Sequence, residues 1–372
     1  NITVVKGKLA GLDAELTSSF SGLFGEHSAM QGTAELKGLN FKSWTYHLGL
    51  PMPEFIDQKA LTKGDGTFEW QWDGEKILLK ELKMQIDETL LQGTVSYQIG
   101  EEPVLAFDLG LDQLNLDTYQ AEYKVENQVS AKTTRPGQNN LSNPPQTTQA
   151  TLSANTVRYL PVGVPIERLR RLKASGQLRI GQLTAWDVNA QTIQVDVLAE
   201  QGVLSLAPLD ADLYQGQLRS KLTLDVSTEA PEYHWKGRFN AINLQAALAT
   251  NPDSMILEGL LASRFDLQSK GNTASTLKQH LNGTHSSEIT QVKIAGLDIN
   301  QLLNGTLESQ SASTQLEQVY LSGKWQQGIY SAKQFSVQSA RFSGNGAGEF
   351  DLNQAKIDSQ FLLTIEKPTF AL

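Results

Sequence analysis

Residues Ser175–Val226 read S-G-Q-L-R-I-G-Q-L-T-A-W-D-V-N-A-Q-T-I-Q-V-D-V-L-A-E-Q-G-V-L-S-L-A-P-L-D-A-D-L-Y-Q-G-Q-L-R-S-K-L-T-L-D-V. Apolar side chains recur at every second position in short bursts. Leu178 and Ile180 begin the pattern, and Trp186 with Val188 continue it. Ile193, Val195 and Val197 follow, then Leu204 and Leu206, then Leu209, Ala211 and Leu213, Leu218, and finally Leu222, Leu224 and Val226. A period of two puts one greasy face and one wet face on a strand. Gly176, Gly181, Gly202 and Gly216 stand between or at the edges of the bursts, where turns or bends are expected. The bursts predict about five or six short sequential strands, and such strands pair with their neighbours as an antiparallel meander. The apolar face of that sheet has to be hidden, and what covers it is the functional question.

The rest of the chain repeats the theme. Asn40–Leu48 spaces Phe41, Trp44 and Leu48 as on a helix, with Asn40 as cap, and Gly49 and Pro51 end it. Asp57–Lys63 is expected to form a further helical turn. Gly66–Trp72 and Glu75–Leu79 flank Asp73-Gly74, a hairpin signal centred on a two-residue Asp-Gly loop. Strands continue through Leu82–Ile86, Leu90–Tyr97 and Val104–Leu116. Short helices are expected at Ile166–Leu172, Leu244–Leu248, Thr273–Leu281 and Leu297–Leu303, separated by strands that run to Ile365. The sequence also repeats itself. Leu90-Leu-Gln-Gly93 resembles Leu213-Tyr-Gln-Gly216, each is followed by a proline (Pro103, Pro231), and each proline by apolar residues at matching offsets, Leu114 and Leu116 or Ile242 and Leu244. A repeated β unit favours a sheet that grows by addition.

Composition divides the chain at one place. Residues 127–156 are mostly Gln, Asn, Thr, Ser and Pro with no aromatic and no acid, and only Lys132 and Arg135 are charged. Such a stretch cannot bury enough apolar surface to offset its ordering entropy and reads as a linker or loop between residues 1–126 and 157–372.

Several functions are disfavoured. A net charge of −9 offers no basic patch for nucleic acid. The chain has no Cys, so thiolate metal sites and cysteine nucleophiles are excluded, and an oxidising compartment is compatible. No apolar run is long enough for a membrane helix. The chain opens inside a strand-like pattern without Met, which reads as a cut or processed end. His27, His47, His234, His280 and His285 are scattered, and the last two flank a turn rather than sharing a helix face. Gly344-Asn-Gly346-Ala-Gly348 lies between two β runs and opens no helix, so it is a strand bend rather than a dinucleotide loop. Asp210, Asp212 and Asp225 alternate with apolar residues as a wet strand face. Trp70 and Trp72 share one strand face, which suits sheet packing better than a sugar platform. No catalytic constellation emerges, so no enzyme, cofactor or metal is expected.

Leu172–Leu183, Leu204–Gly216, and Leu281-Asn-Gly283 leading to Gly296-Leu-Asp298-Ile resemble the C-terminal part of the AsmA family. Met84–Gly93 and Phe107–Tyr119 resemble segments nearer that family's middle. The motifs are individually degenerate, but their order is specific, and the likeness covers most of the chain on both sides of the polar stretch. The resemblance implies a bridge-like lipid-transfer protein with its β-rich body in the bacterial periplasm. It also implies an inner-membrane anchor through an N-terminal helix, which this sequence does not contain. It implies a mainly β fold with short helices, an elongated antiparallel meander curled into a groove or half-barrel with an apolar inner face. Residues 1–126 and 157–372 then become two groove segments. The expected partner is phospholipid or another acyl-chain lipid, carried by a monomer, in support of outer-membrane biogenesis. The expected floor is Leu178, Ile180, Ile193, Val195, Val197, Leu204, Leu206, Leu222 and Leu224. A tail needs only apolar surface, since each buried methylene contributes about 0.8 kcal/mol. Two other readings compete: a scaffold for outer-membrane proteins whose groove is filled by its own side chains, and an outer-membrane barrel. The short helices, the polar stretch and the lack of aromatic girdles oppose the barrel.

Overall fold

A computed structural model describes residues 3–9, 14–21, 30–47, 55–122, 158–159, 166–186, 188–249, 257–296 and 313–365. Its first strands are β1 (Thr3–Leu9), β2 (Ala14–Ser21) and β3 (Met30–Lys37). Next come β4 (Gly64–Trp72), β5 (Lys76–Ile86), β6 (Thr89–Gln98) and β7 (Val104–Asn115). Two short strands, β8 (Ala121–Glu122) and β9 (Arg158–Tyr159), pair with each other at the base of the polar stretch. Then follow β10 (Lys173–Ala185), β11 (Val188–Glu200), β12 (Val203–Leu213) and β13 (Gly216–Asp225). β14 (Glu232–Asn243), β15 (Leu257–Lys270) and β16 (Asn282–Ala295) continue the series, and β17 (Ser313–Gln326), β18 (Ile329–Gln338), β19 (Phe342–Asp351) and β20 (Lys356–Ile365) complete it.

Eighteen of these strands form one sheet. Each hydrogen-bonds to the next in sequence from β1 to β7 and from β10 to β20, always antiparallel. The two series meet where β10 lies parallel to β7. Among the described residues β1 and β20 each have one strand partner, so the sheet is not closed into a barrel. The parallel joint was not visible in the alternation, because it depends on the route taken by the chain between β7 and β10. Residues 127–156 and 297–303 lie outside the described residues.

The stretch that opened the reading contains four long strands rather than five or six short ones. Gly176 and Gly181 are interior to β10, not at turns. Their role is close approach to β7: an added Cβ would stand 2.2 Å from the Phe107 carbonyl oxygen at Gly176 and 2.4 Å from that of Asp112 at Gly181. The wet side of the joint is clamped by ion pairs from Lys173 to Glu102 and from Arg179 to Asp108. Gly202 and Gly216 do sit at strand ends, and Gly202 takes a left-handed φ of 78°. The β4–β5 loop is Gly74-Glu75 rather than Asp73-Gly74. Gly74 takes the left-handed position (φ 96°), and the Asp73 carboxylate instead accepts the N–H groups of Glu75 and Lys76 at 3.0 and 2.7 Å.

Register shifts interrupt β4, β5, β11, β12, β14, β15 and β18. Such bulges increase twist and curl a sheet about one face. Pro208 lies in the β12 shift, where its missing N–H costs no ladder bond.

Short helices decorate the two long edges. α1 (Phe41–His47), a 3-10 turn (Leu116–Tyr119) and, later, α3 (Leu244–Leu248) each follow a strand and start at an asparagine. Asn40 accepts from Ser43 N at 3.1 Å, Asn115 from Asp117 N at 3.0 Å, and Asn243 from Ala246 N at 3.1 Å. The preceding strands β3, β7 and β14 run in one direction, so all three helices share one edge. α2 (Ile166–Arg171) and α4 (Ala274–Gln279) occupy the other edge. The repeat seen in the sequence is therefore a strand pair ending in an Asn-capped turn, β6–β7 in one copy and β13–β14 in the other. Asp57–Lys63 forms hydrogen-bonded turns, not a helix, with Leu61 at φ 58°.

Candidate functional site: the apolar face

Cross-strand pairing decides which side chains share a face, because directly opposed residues point the same way. Leu178 faces Val195, Ile180 faces Ile193, and Gly176 faces Val197. Val197 faces Leu206, and Leu204 and Leu206 face Leu224 and Leu222. All nine expected floor residues thus lie on one surface. Toward β7 it continues through Leu109 and Leu111, and from there to Val95, Leu79 and Trp70. In the other direction it runs through Trp235 and Leu267 to Trp325, Tyr330 and Phe350. Among the described residues the longest helix has seven residues and no second sheet of comparable size covers this face.

The face is not uniform. Ile180, Ile193 and Val195 are 4–8 % exposed and are packed by Leu111, Leu178, Val197 and Leu206. Leu224 is equally buried, while Leu178, Val197, Leu204, Leu206 and Leu222 are half-buried. A second filled patch gathers Val292, Leu316 and Phe342. Between β3 and β6, by contrast, a cavity of about 590 Å³ stands open, lined by Ala34, Phe68, Trp70, Trp72, Ile77, Leu79 and Ile99. Phe68 opposes Ala34, Trp70 opposes Leu79 and Trp72 opposes Ile77, so large rings stand beside short or aliphatic neighbours and do not fill the space. Its size and lining fit a binding cavity for an apolar ligand. Sequence reasoning placed the floor entirely on β10–β13 and missed this cavity. The signal that could have found it was the alternation Phe68-Trp70-Trp72 set against Ile77 and Leu79.

Farther along, β14–β19 carry an aromatic band. Trp235 and Phe265 have ring centroids 4.5 Å apart, Phe239 and Phe265 5.4 Å, and Trp325 and Tyr330 5.0 Å. His285 and Tyr330 belong to this band, at 5.8 Å. Burial penalises their charged forms: it holds the His285 imidazole below its usual range and pushes the Tyr330 hydroxyl up to about 12, so both are neutral.

The opposite face is polar. Arg219, Arg238 and Arg264 stand side by side at one register on β13, β14 and β15 and line a shallow water-accessible depression of about 590 Å³ with Glu288 and Tyr320. Beside them Asp266 bonds both Lys236 and His234 at 2.6 Å, and the hydrogen bond from Lys236, then that from His234, holds its carboxyl below the usual carboxylate range. Among the described residues no three His, Asp or Glu side chains are grouped to hold a metal. No described helix is long and apolar enough to cross a membrane.

The sequence profile of the AsmA family matches residues 43–335, which takes in β4 through most of β18. No curated protein and no solved structure matches the chain. A curled open sheet with one apolar face agrees with the order of motifs that first suggested the family, and the profile spans well over half of the sequence: the chain belongs to the AsmA family.

Proposed function

We propose that the apolar face holds acyl chains. We further propose that the protein is the periplasmic body of an inner-membrane-anchored carrier that conducts phospholipid toward the outer membrane. The observation that carries this reading is the continuity of the apolar face from β3 to β19, with an unfilled cavity at Trp70 and Trp72. Membership of the AsmA family supports a role in outer-membrane or lipid-related biogenesis. The physics of the face is consistent with a conduit. A tail held by about 0.8 kcal/mol per methylene is bound at every point and fixed at none, so it can slide. Nothing in this role calls for a nucleophile, a metal or a cofactor.

Organic extraction of the purified protein followed by lipid mass spectrometry is the test. A conduit yields phospholipid, and a photo-crosslinking residue at Ile77 or Trp72 yields adducts with it in cells. A protein free of lipid, with crosslinks only to its own strands, overturns the reading. One observation favours the scaffold reading instead. Edge strand β20 leaves Ile357 71 % and Leu362 73 % exposed, which is the surface a protein partner would add a strand to. Lipid-free protein that still associates with an outer-membrane protein through β20 would establish that reading.

A further inference from the structure

Among the described residues the apolar face carries a cluster of polar side chains. On β15–β18 it carries Ser263, Ser287, His285 and Tyr330, at positions whose cross-strand and near neighbours are Phe265, Leu321 and Trp325. A polar group buried without partners costs free energy, so these groups must satisfy one another. Their protons can be counted. The Ser263 hydroxyl donates to the Ser286 carbonyl at 3.2 Å. The Ser287 hydroxyl donates to Ser263 Oγ at 3.0 Å. That spends the one proton of Ser287, so in its 2.7 Å contact with His285 Nε2 the ring must be the donor. A neutral imidazole protonated at Nε2 has an acceptor at Nδ1, and the Tyr330 hydroxyl, 3.3 Å away, donates to it. The chain of donors runs Tyr330, His285, Ser287, Ser263 and ends on backbone.

Every side-chain proton in the chain is thereby used, and what remains unspent is acceptor capacity. A hydroxyl oxygen has two lone pairs. Ser287 Oγ accepts one hydrogen bond, from His285, and keeps one lone pair. Ser263 and Tyr330 are buried, whereas His285 and Ser287 are only half-buried. A saturated tail passing this point has nothing to donate to Ser287. A tail carrying a hydroxyl does.

We propose that Ser287, held by His285 and Tyr330, is a hydrogen-bonding station on the groove floor that selects hydroxylated acyl chains over unsubstituted ones. The inference rests on the acyl-chain reading of the groove. It adds chemical selectivity at one position to a face that otherwise binds by area alone.

The test compares myristic acid with β-hydroxymyristic acid by isothermal titration calorimetry on the whole chain. The hydroxylated acid should bind about fivefold to tenfold more tightly, the worth of one net hydrogen bond. Ser287→Ala should bring the ratio to about one through loss of that bond. His285→Phe, which unseats Ser287, should reduce the ratio as well. Equal binding of the two acids by the unaltered protein overturns the proposal, and so does a preference that survives Ser287→Ala. If neither acid binds, the acyl-chain reading of the groove fails and takes this inference with it, an outcome distinct from equal binding.

Discussion

The patch on β10–β13 and the cavity on β3–β6 are built from the same alternation, yet only one of them fills itself. In the first, branched aliphatic side chains meet across β7, β10, β11 and β12, and Ile180, Ile193 and Val195 close over one another. In the second, Trp70, Trp72 and Phe68 stand against Ala34, Ile77 and Leu79, and about 590 Å³ stays unfilled. Residue type explains the difference. Isoleucine and valine are stiff at χ1 and pack tightly in a pleat. Indole rings are long and planar, so they wall a space without filling it. The lesson is that an apolar face is part structural core and part binding surface, and alternation alone does not separate the two.

Charge is the strongest way to break that comparison. Val195→Asp places a carboxylate in the filled patch and should cost about 3 kcal/mol or more. Ile77→Asp, on the wall of the open cavity, can stay hydrated and should cost about 1 kcal/mol. Urea unfolding of both variants gives the answer, and equal losses would mean that the two regions are equally closed.

Truncation should show the same contrast at smaller amplitude. Ile193→Ala should destabilise by about 2–4 kcal/mol, since it removes contacts and leaves a cavity. Leu79→Ala enlarges a space that already exists and should cost less than about 2 kcal/mol. Lipid content should move the other way: extraction from Trp72→Ala should recover several-fold less phospholipid, by loss of apolar wall, while Ile193→Val should leave recovery unchanged. Loss of lipid from Ile193→Val with none from Trp72→Ala would place the binding surface on β10–β13 instead.

The smallest effect is a pH slope at a third place on the face. Burial keeps the folded-state pKa of His285 below its ordinary value of 6.5. As pH falls through 6.5 the unfolded chain takes up the proton first, so stability is complete above that pH and declines below it. One proton contributes at most about 1.4 kcal/mol per pH unit. His285→Phe should flatten the part of the stability profile just below pH 6.5, measured by urea midpoints. An unchanged slope would mean that His285 is as hydrated in the fold as in the unfolded chain.

Much of the architecture was legible in local pattern. Period-two bursts located the strands, and Asn40, Thr273 and the run from Leu244 marked the helices where they occur, since capping is a contact between residues three apart. The strand count was misread because Gly176 and Gly181 look like punctuation. They are glycine for the sake of β7, some 70 residues earlier in the chain, whose backbone passes too close for a Cβ. The Asp-Gly loop shifted by one residue because the Asp73 carboxylate captures two backbone N–H groups.

Which side chains share a face follows from alternation, a property of each strand alone. Which parts of that face are sealed, which stand open, and where Tyr330 meets His285 across 45 residues follow from register, bulges and the parallel joint. Those depend on how distant strands curl against one another, and a pattern with a period of two carries no information about curvature.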